Sequence, residues 1–597
     1  MSKKYCKLPL WECSRELSAT AEGLRPADTV ITNARLMNVC TGEILPDVSV
    51  AIACGRIALV GDAAHCIGPD TKVIDARGQY LAPGLLDGHI HVESSMMSVS
   101  AYANAVIPHG TVGIYYDPHE ITNVLGLRGM DLLVRESEAT PLKAMLTVSS
   151  CVPAVPGFED SGSAVTAADI AAQMQREEVV GLGEMMNFPG ILSSDPETHA
   201  ITGNTLRAGK VVTGHYSVPE HGRDLNAYIA AGVRCCHEST RAEDALEKMR
   251  LGMYAMFRNG SAWQDLRALS SALTEHRVDS RFACLVSDDV HPRTLRQEGH
   301  VDYLIRLAIS YGIDPMTAVQ MATLNVAQCF RMDHELGSIT PGRCADIVFV
   351  DDLIDFHVTA TMIDGEIVAE NGEMLCPAAT PTFPDWAMDT VHLGESVTAD
   401  TFRIPTDRTG KVTVRAMEVI PASAANREQK VELTVRDGLL ESDAEQDVLK
   451  AFVFERHRAT GRHGMGFVKG FHIRKGAMAS TVSHDAHNLL VLGTNDADMA
   501  LAAHTLMDCG GGMCVVAEGR VLGLVELPLA GLMSTESAEE MEKRVAALDR
   551  AWKAIGCDLP SPFMTMALVP LACIPELRLT DRGLVDCKRF AFTTLEE

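Results

Sequence analysis

The stretch PGLLDGHIHVESSM, Pro83–Met96, sets His89 and His91 one residue apart after an apolar run. In an extended chain alternate side chains face the same side, so this pair turns two imidazoles toward one point, which suits a divalent metal. A His-x-His alone is common on surfaces and in cores, and its meaning depends on partners elsewhere. The chain supplies them: Asp117, His119 and Glu120 in DPHE, Glu184 in GLGEMM, His215 in TGHYS, His237 and Glu238 in CCHES, and Asp288, Asp289 and His291 in SDDVH. Glu93 follows the first pair. Nitrogen and oxygen ligands without thiolate fit Zn, Fe(II) or Mn. Four histidines with carboxylates are enough for two ions, with Glu184 a possible bridge. Cys235 and Cys236 adjoin His237 but are not needed to complete the set, so they read as packing residues.

Each of these residues closes an apolar segment of strand length. The segments are GLLDGHIHV, GTVGIYYDP, LKAMLTVSS, VVGLGEMM, KVVTGHYS, GVRCCHES, MYAMFRNG and RFACLVSDD, separated mostly by helical stretches such as RAEDALEKMRLGM. Eight β-α units in about 250 residues match the size of a (β/α)8 barrel, whose functional groups gather at the C-terminal strand ends. The barrel is expected over residues 83–337. Before it, residues 1–82 carry short β segments with turns at Gly55-Arg56 and Gly61-Asp62. A turn at Gly342-Arg343 precedes another strand, ADIVFV. After the Pro/Thr-rich connection CPAATPTFPDW, residues 377–597 have strands (HNLLVLG, GMCVVAEGRVLGLVEL) and a helical stretch (SAEEMEKRVAALDRAWKAIG) of their own. The whole is an α/β protein with a C-terminal α+β domain.

Composition narrows the partners. At 597 residues the chain needs several cores. A net charge of −27 argues against nucleic acid and anionic membrane as partners; it is compatible with a neutral small molecule and equally with simple solubility. No apolar run reaches the about 18 residues of a membrane span, and the start has no signal-peptide core. Seventeen scattered cysteines without a CxxC pair read as reduced thiols. A cytoplasmic protein is expected.

The order of motifs resembles the amidohydrolase superfamily: His-x-His after the first strand, an acid or lysine after the fourth, a histidine after the fifth and sixth, an aspartate after the eighth. It is more closely similar to the bacterial adenine deaminase family, through HVESSM, DPHEITNVLG, GLGEMMNFPG, SDDVHP, MATLNVAQCF, LGSITPGRCADIVFVDD, SHDAHNLLVLGTNDADM and GGGMCVVAEGRVLGLVELPLAGLMS. These span nearly the whole chain. An acid at position 184, where many amide-hydrolysing relatives carry a carbamylated lysine, fits that closer likeness. RCCHES departs from it, because a polar residue is expected before the histidine.

The resemblance implies a metal-dependent hydrolase barrel inserted into a small β-sandwich made from residues 1–82 and 338–376, followed by an adenine deaminase-type domain at 377–597. It implies two divalent ions (Mn2+ or Fe2+, or Zn2+) on His89, His91, Glu184, His215, His237 and Asp288, and hydrolysis of adenine to hypoxanthine and ammonia by hydroxide formed on the metal. Asp288 would take the proton of the attacking water. Glu120 would carry protons to the ring, with Glu238 as competitor and His119 as a polarising group. Asp289 and Glu93 are candidates for the purine edge, each balanced by a capping or supporting role. Met96 and Phe188 are candidates to sandwich the base, balanced by ordinary packing. A homodimer is expected. SHDAHN, at 483–488, reads as an interface or lid rather than a second metal site, since no further ligand-type residue lies nearby in sequence. Two rival functions stay open: a cyclic amide hydrolase of the same superfamily, and a non-catalytic scaffold, which should have lost ligands.

Overall fold

A computed structural model describes residues 5–597 apart from 220, 221, 262, 395, 422, 424 and 560. The eight apolar segments form eight parallel strands: Leu85–Ile90, Thr111–Tyr116, Lys143–Val148, Val179–Met185, Val211–Gly214, Val233–Cys236, Tyr254–Arg258 and Ala283–Val286. They pair in sequence order. The ring closes between first and last strands, where Asp288 N–H donates to the His89 carbonyl (3.0 Å) and His91 N–H to the Asp288 carbonyl (3.1 Å). Parallel strands buried on both faces read as near-continuous apolar runs, and nearly all of their residues are buried.

The segments on either side of the barrel join in one nine-stranded sheet. Its seam is Ile347–Val350 against Tyr80–Pro83, antiparallel, with Val348 opposite Ala82. Residues from both halves, among them Val50, Ile57, Phe349 and Met362, share one apolar cluster. The first tight hairpin turns at Cys54 and Gly55, both at positive φ (56° and 74°), one residue earlier than the sequence reading put it. Lys143, buried at the start of the third barrel strand, bonds Asp346 (2.6 Å) and Asp364 (2.8 Å) and so pins the barrel to this sheet.

The C-terminal region is an eight-stranded sheet with helices Asp496–Asp508 and Ala538–Ala554. It shares an apolar cluster with the barrel, in which Met97 and Val290 join Met533 and Val545. A second tie runs through the loop after the third barrel strand. Asp160 pairs with Arg582 (2.5 Å) and Arg462, and its carbonyl accepts from Asn488 (2.8 Å). In the same loop Glu159 accepts the Val155 N–H (2.9 Å), and burial, then the nearby Asp485, raise its carboxyl from 4.5 to about 8. A folded-state value above the unfolded one means that the proton favours the fold. That contribution is complete below about pH 4.5 and is lost as pH rises toward 8. Glu159→Gln is therefore expected to raise Tm relative to the parent at pH 8 and change it little at pH 4.5. A calorimetric Tm difference that does not vary with pH would refute this.

Candidate active site

The C-terminal strand ends bring His89, His91, Glu184, His215, His237 and Asp288 together. His89 and His91 both have extended backbone, as the alternation requires, and their ring centres lie 4.8 Å apart. His237 stacks on His89 at 4.0 Å. Glu184 lies at the middle. Its Oε1 is 3.4 Å from His91 Nε2, and its Oε2 is 2.5 Å from His215 Nδ1 and 3.2 Å from His237 Nε2. Asp288 Oδ1 is 3.3 Å from His91 Nε2 and 3.5 Å from His89 Nε2.

Supporting residues fix these groups. His91 Nδ1 donates to the Asp117 carbonyl (2.9 Å), which fixes the ring with Nε2 toward the carboxylates. The Asp117 carboxylate accepts from Ser149 Oγ (2.7 Å) and from the Glu184 backbone N–H (2.8 Å). That approach requires Gly183, where a Cβ would lie 2.2 Å from Asp117 Oδ2. The Tyr228 hydroxyl accepts the His215 N–H (3.0 Å) and donates to the Met185 carbonyl (2.6 Å). Lys248 Nζ donates to the Glu238 carbonyl (2.6 Å) and holds the loop after His237. Asp288 sits at φ 64°, a left-handed conformation that aspartate tolerates at some cost and that concentrates at functional sites.

The donor set fits divalent ions. Among the described residues, His89, His91 and Asp288 form one group able to hold an ion, and His89, Glu184 and His237 another. His89 Nε2 is buried without a hydrogen-bond partner. Burial, then the neighbouring His89, lower the His237 imidazole to about 4, so it is neutral at pH 7, the form that ligates.

Two family models match the chain, the amidohydrolase family over residues 80–368 and the adenine deaminase C-terminal domain over residues 423–591. An adenine deaminase of Clostridium botulinum (strain ATCC 19397 / Type A) is 62% identical over 595 residues, covering 100% of this chain and 99% of the relative. The chain belongs to the adenine deaminase family. An adenine deaminase of Moorella thermoacetica is 52% identical over 589 residues, covering 98% of each chain. The solved structure of a molinate hydrolase, 16% identical, aligns with 60% of this chain and 98% of its own at a TM-score of 0.45.

The other predicted residues of this adenine deaminase family member fall in two places. Glu93, His119, Glu120 and Asp289 are buried around the central group. Glu93 Oε1 accepts the Ile121 N–H (3.2 Å), and burial, then Glu120, raise its carboxyl to about 8. Burial, then Asp288, raise Asp289 to about 6. Met96 and Phe188 have packing partners of their own: Met96 belongs to the main apolar cluster, and Phe188, half-buried, lies edge-on to Tyr216 at 5.4 Å. Cys235 and Cys236 are fully buried, and Cys236 Sγ takes the Tyr216 N–H at 3.2 Å. A thiol fills the place where a polar residue was expected.

Sequence reading missed Arg258. Buried at the end of the seventh strand, its Nη1 lies 2.5 Å from Glu238 Oε1 and 2.9 Å from Asp288 Oδ2. Burial would raise the Glu238 carboxyl, but Arg258, then His215 and His237, hold it down at about 2. The ground for reading SHDAHN as an interface or lid is what changes. Sequence offered no ligand-type residue near it, but the fold brings His119 and Glu120 there from the barrel. His484 Nδ1 is 3.7 Å from Glu120 Oε1, and His119 Nε2 is 3.7 Å from Asp485 Oδ1.

Proposed function

We propose that this chain hydrolyses adenine to hypoxanthine and ammonia, with divalent ions held by His89, His91, Glu184, His215, His237 and Asp288. The full-length likeness to adenine deaminases carries the reading. The convergence of these six ligand-type side chains supports it against a scaffold, which has no reason to keep them. Two ions fit the set; its nitrogen and oxygen donors suit Mn2+, Fe2+ or Zn2+, and the family likeness favours the first two. When bound, such ions lower the pKa of water so that hydroxide exists near neutral pH.

The chain's own residues do the rest. Asp288 accepts a proton through the carboxylate whose other oxygen Arg258 fixes. Glu120, with a buried oxygen lacking a hydrogen-bond partner, carries protons to the purine ring. Glu93 and Asp289 offer two further buried oxygens without partners, Oε2 and Oδ1, suited to N–H groups of the base. Partnerless buried polar atoms cost free energy unless a ligand satisfies them. A cytoplasmic location and a homodimer are part of this proposal; among the described residues no helix is long and apolar enough to cross a membrane.

The test is ammonia release by Mn-, Fe- and Zn-loaded protein from adenine, other 6-aminopurines, cytosine and a dihydropyrimidine. Adenine should turn over and cytosine poorly. Opening of the cyclic amide with no release from any 6-aminopurine would install the rival hydrolase reading.

A further inference from the structure

The function of the C-terminal domain is open once the barrel is seen to hold the whole expected ligand set. Its loop at 483–488 does not merely cover the barrel mouth. His119, on the barrel side, has one ring nitrogen at each end of a short polar line. Its Nδ1 is 3.3 Å from Glu184 Oε1 and its Nε2 3.7 Å from Asp485 Oδ1. Both nitrogens are buried without a hydrogen-bond partner. His119 also forms, with His91 and Glu184, a group able to hold an ion. Asp485 is itself buried, and its Oδ1 lies 3.5 Å from His484 Nδ1. The loop is held independently of His119: the fully buried Arg456 donates to the carbonyl of His487, and Asn488 bonds the barrel loop at Asp160.

We propose that Asp485 is a positioning residue for the metal centre: its carboxylate faces Nε2 of His119 and orients the imidazole so that Nδ1 stands beside Glu184, and the C-terminal domain thereby completes the centre. A neutral imidazole has one N–H and one lone pair, and the partner of the N–H decides which nitrogen faces the metal. A carboxylate in that place also makes the imidazole a better donor. As a ligand His119 would have to offer a deprotonated nitrogen, and Nδ1, beside Glu184, is the one placed to do so. The inference rests on the reading that the barrel site holds divalent ions.

The experiment uses the full chain as wild type, Asp485→Asn, His119→Gln and the double variant, each titrated with Mn2+ against a competing chelator. Asp485→Asn is expected to weaken binding of the less tightly held ion about 10- to 100-fold, the range for outer partners of metal ligands, without lowering the Tm of chelator-treated protein. His119→Gln should do the same, and the double variant should be no worse than His119→Gln, since both act through one imidazole. Asp485→Glu, which keeps the carboxylate, should recover part of the loss. Wild-type Mn2+ affinity in Asp485→Asn, or losses that multiply in the double variant, would overturn the proposal. Should the asparagine variant not fold, Asp485→Ser is read in the same way. Wild type that binds two Mn2+ but leaves adenine intact would sink the functional reading and not this one. Wild type that binds no Mn2+ would sink both.

Discussion

Glu184→Ala is expected to empty the site of both ions and to reduce ammonia release from adenine below about a thousandth of the parent rate, because hydroxide at neutral pH depends on the ions. The reason is geometric. One oxygen of this carboxylate faces His91 and His119, and the other faces His215 and His237. The two halves of the centre therefore share it, and its loss is felt by both. A variant at the edge behaves differently: His215 sits at the outer, partly exposed side of the group, so His215→Ala should cost one ion before the other. Elemental analysis after dialysis, alongside the ammonia assay, separates these cases. Two ions and a tenth or more of parental turnover in Glu184→Ala would show that Glu184 neither bridges nor binds. Stripping the wild type with a chelator gives the same test without a substitution, with activity expected back as Mn2+ is restored.

The barrel was legible because parallel strands covered on both faces are written as uninterrupted apolar runs. A histidine or carboxylate near the end of such a run is conspicuous: LLDGHI carries one candidate ligand just before its last residue, and so does VVGLGEM. The seam between Tyr80–Pro83 and Ile347–Val350 was not readable from periodicity, and entered only through the family resemblance. The pairing joins segments more than 260 residues apart, and nothing local records it. Arg258 was missed for a different reason. A cation is not a ligand type, so FRNG was read as a strand end and no more, although its position at the rim of the seventh strand was the available signal. The partners of His484 and Asp485 were invisible in sequence because His119 and Glu120 belong to another domain. Composition around SHDAHN says only that the loop is polar. That its side chains are buried against the barrel is a tertiary fact.

Glu120→Gln is expected to keep the bound ions and the affinity for adenine, yet to lose at least about a hundredfold in kcat, the lower end of general acid–base effects. Glu120 and Glu238 both flank the centre, but their surroundings assign them different work. Glu238 is ion-paired to a buried guanidinium at 2.5 Å and is held down at about 2 against the pull of burial. It stays ionised at neutral pH and is a poor proton donor. Its charge serves to fix Arg258 and, through it, Asp288. Among the described residues no guanidinium pairs with Glu120. It lies in the first turn of the helix His119–Leu125, its Oε1 is buried without a hydrogen-bond partner, and the imidazole of His484 stands 3.7 Å away as a group to exchange protons with. Glutamine preserves the shape and the hydrogen-bonding reach and removes only the titration. Glu238→Gln should accordingly weaken kcat less than Glu120→Gln, with its effect arising through a loosened Arg258. Near-parental turnover in Glu120→Gln with collapse in Glu238→Gln would transfer the shuttle to Glu238. Loss of an ion in Glu120→Gln would instead place this carboxylate in the metal centre itself, beside His119.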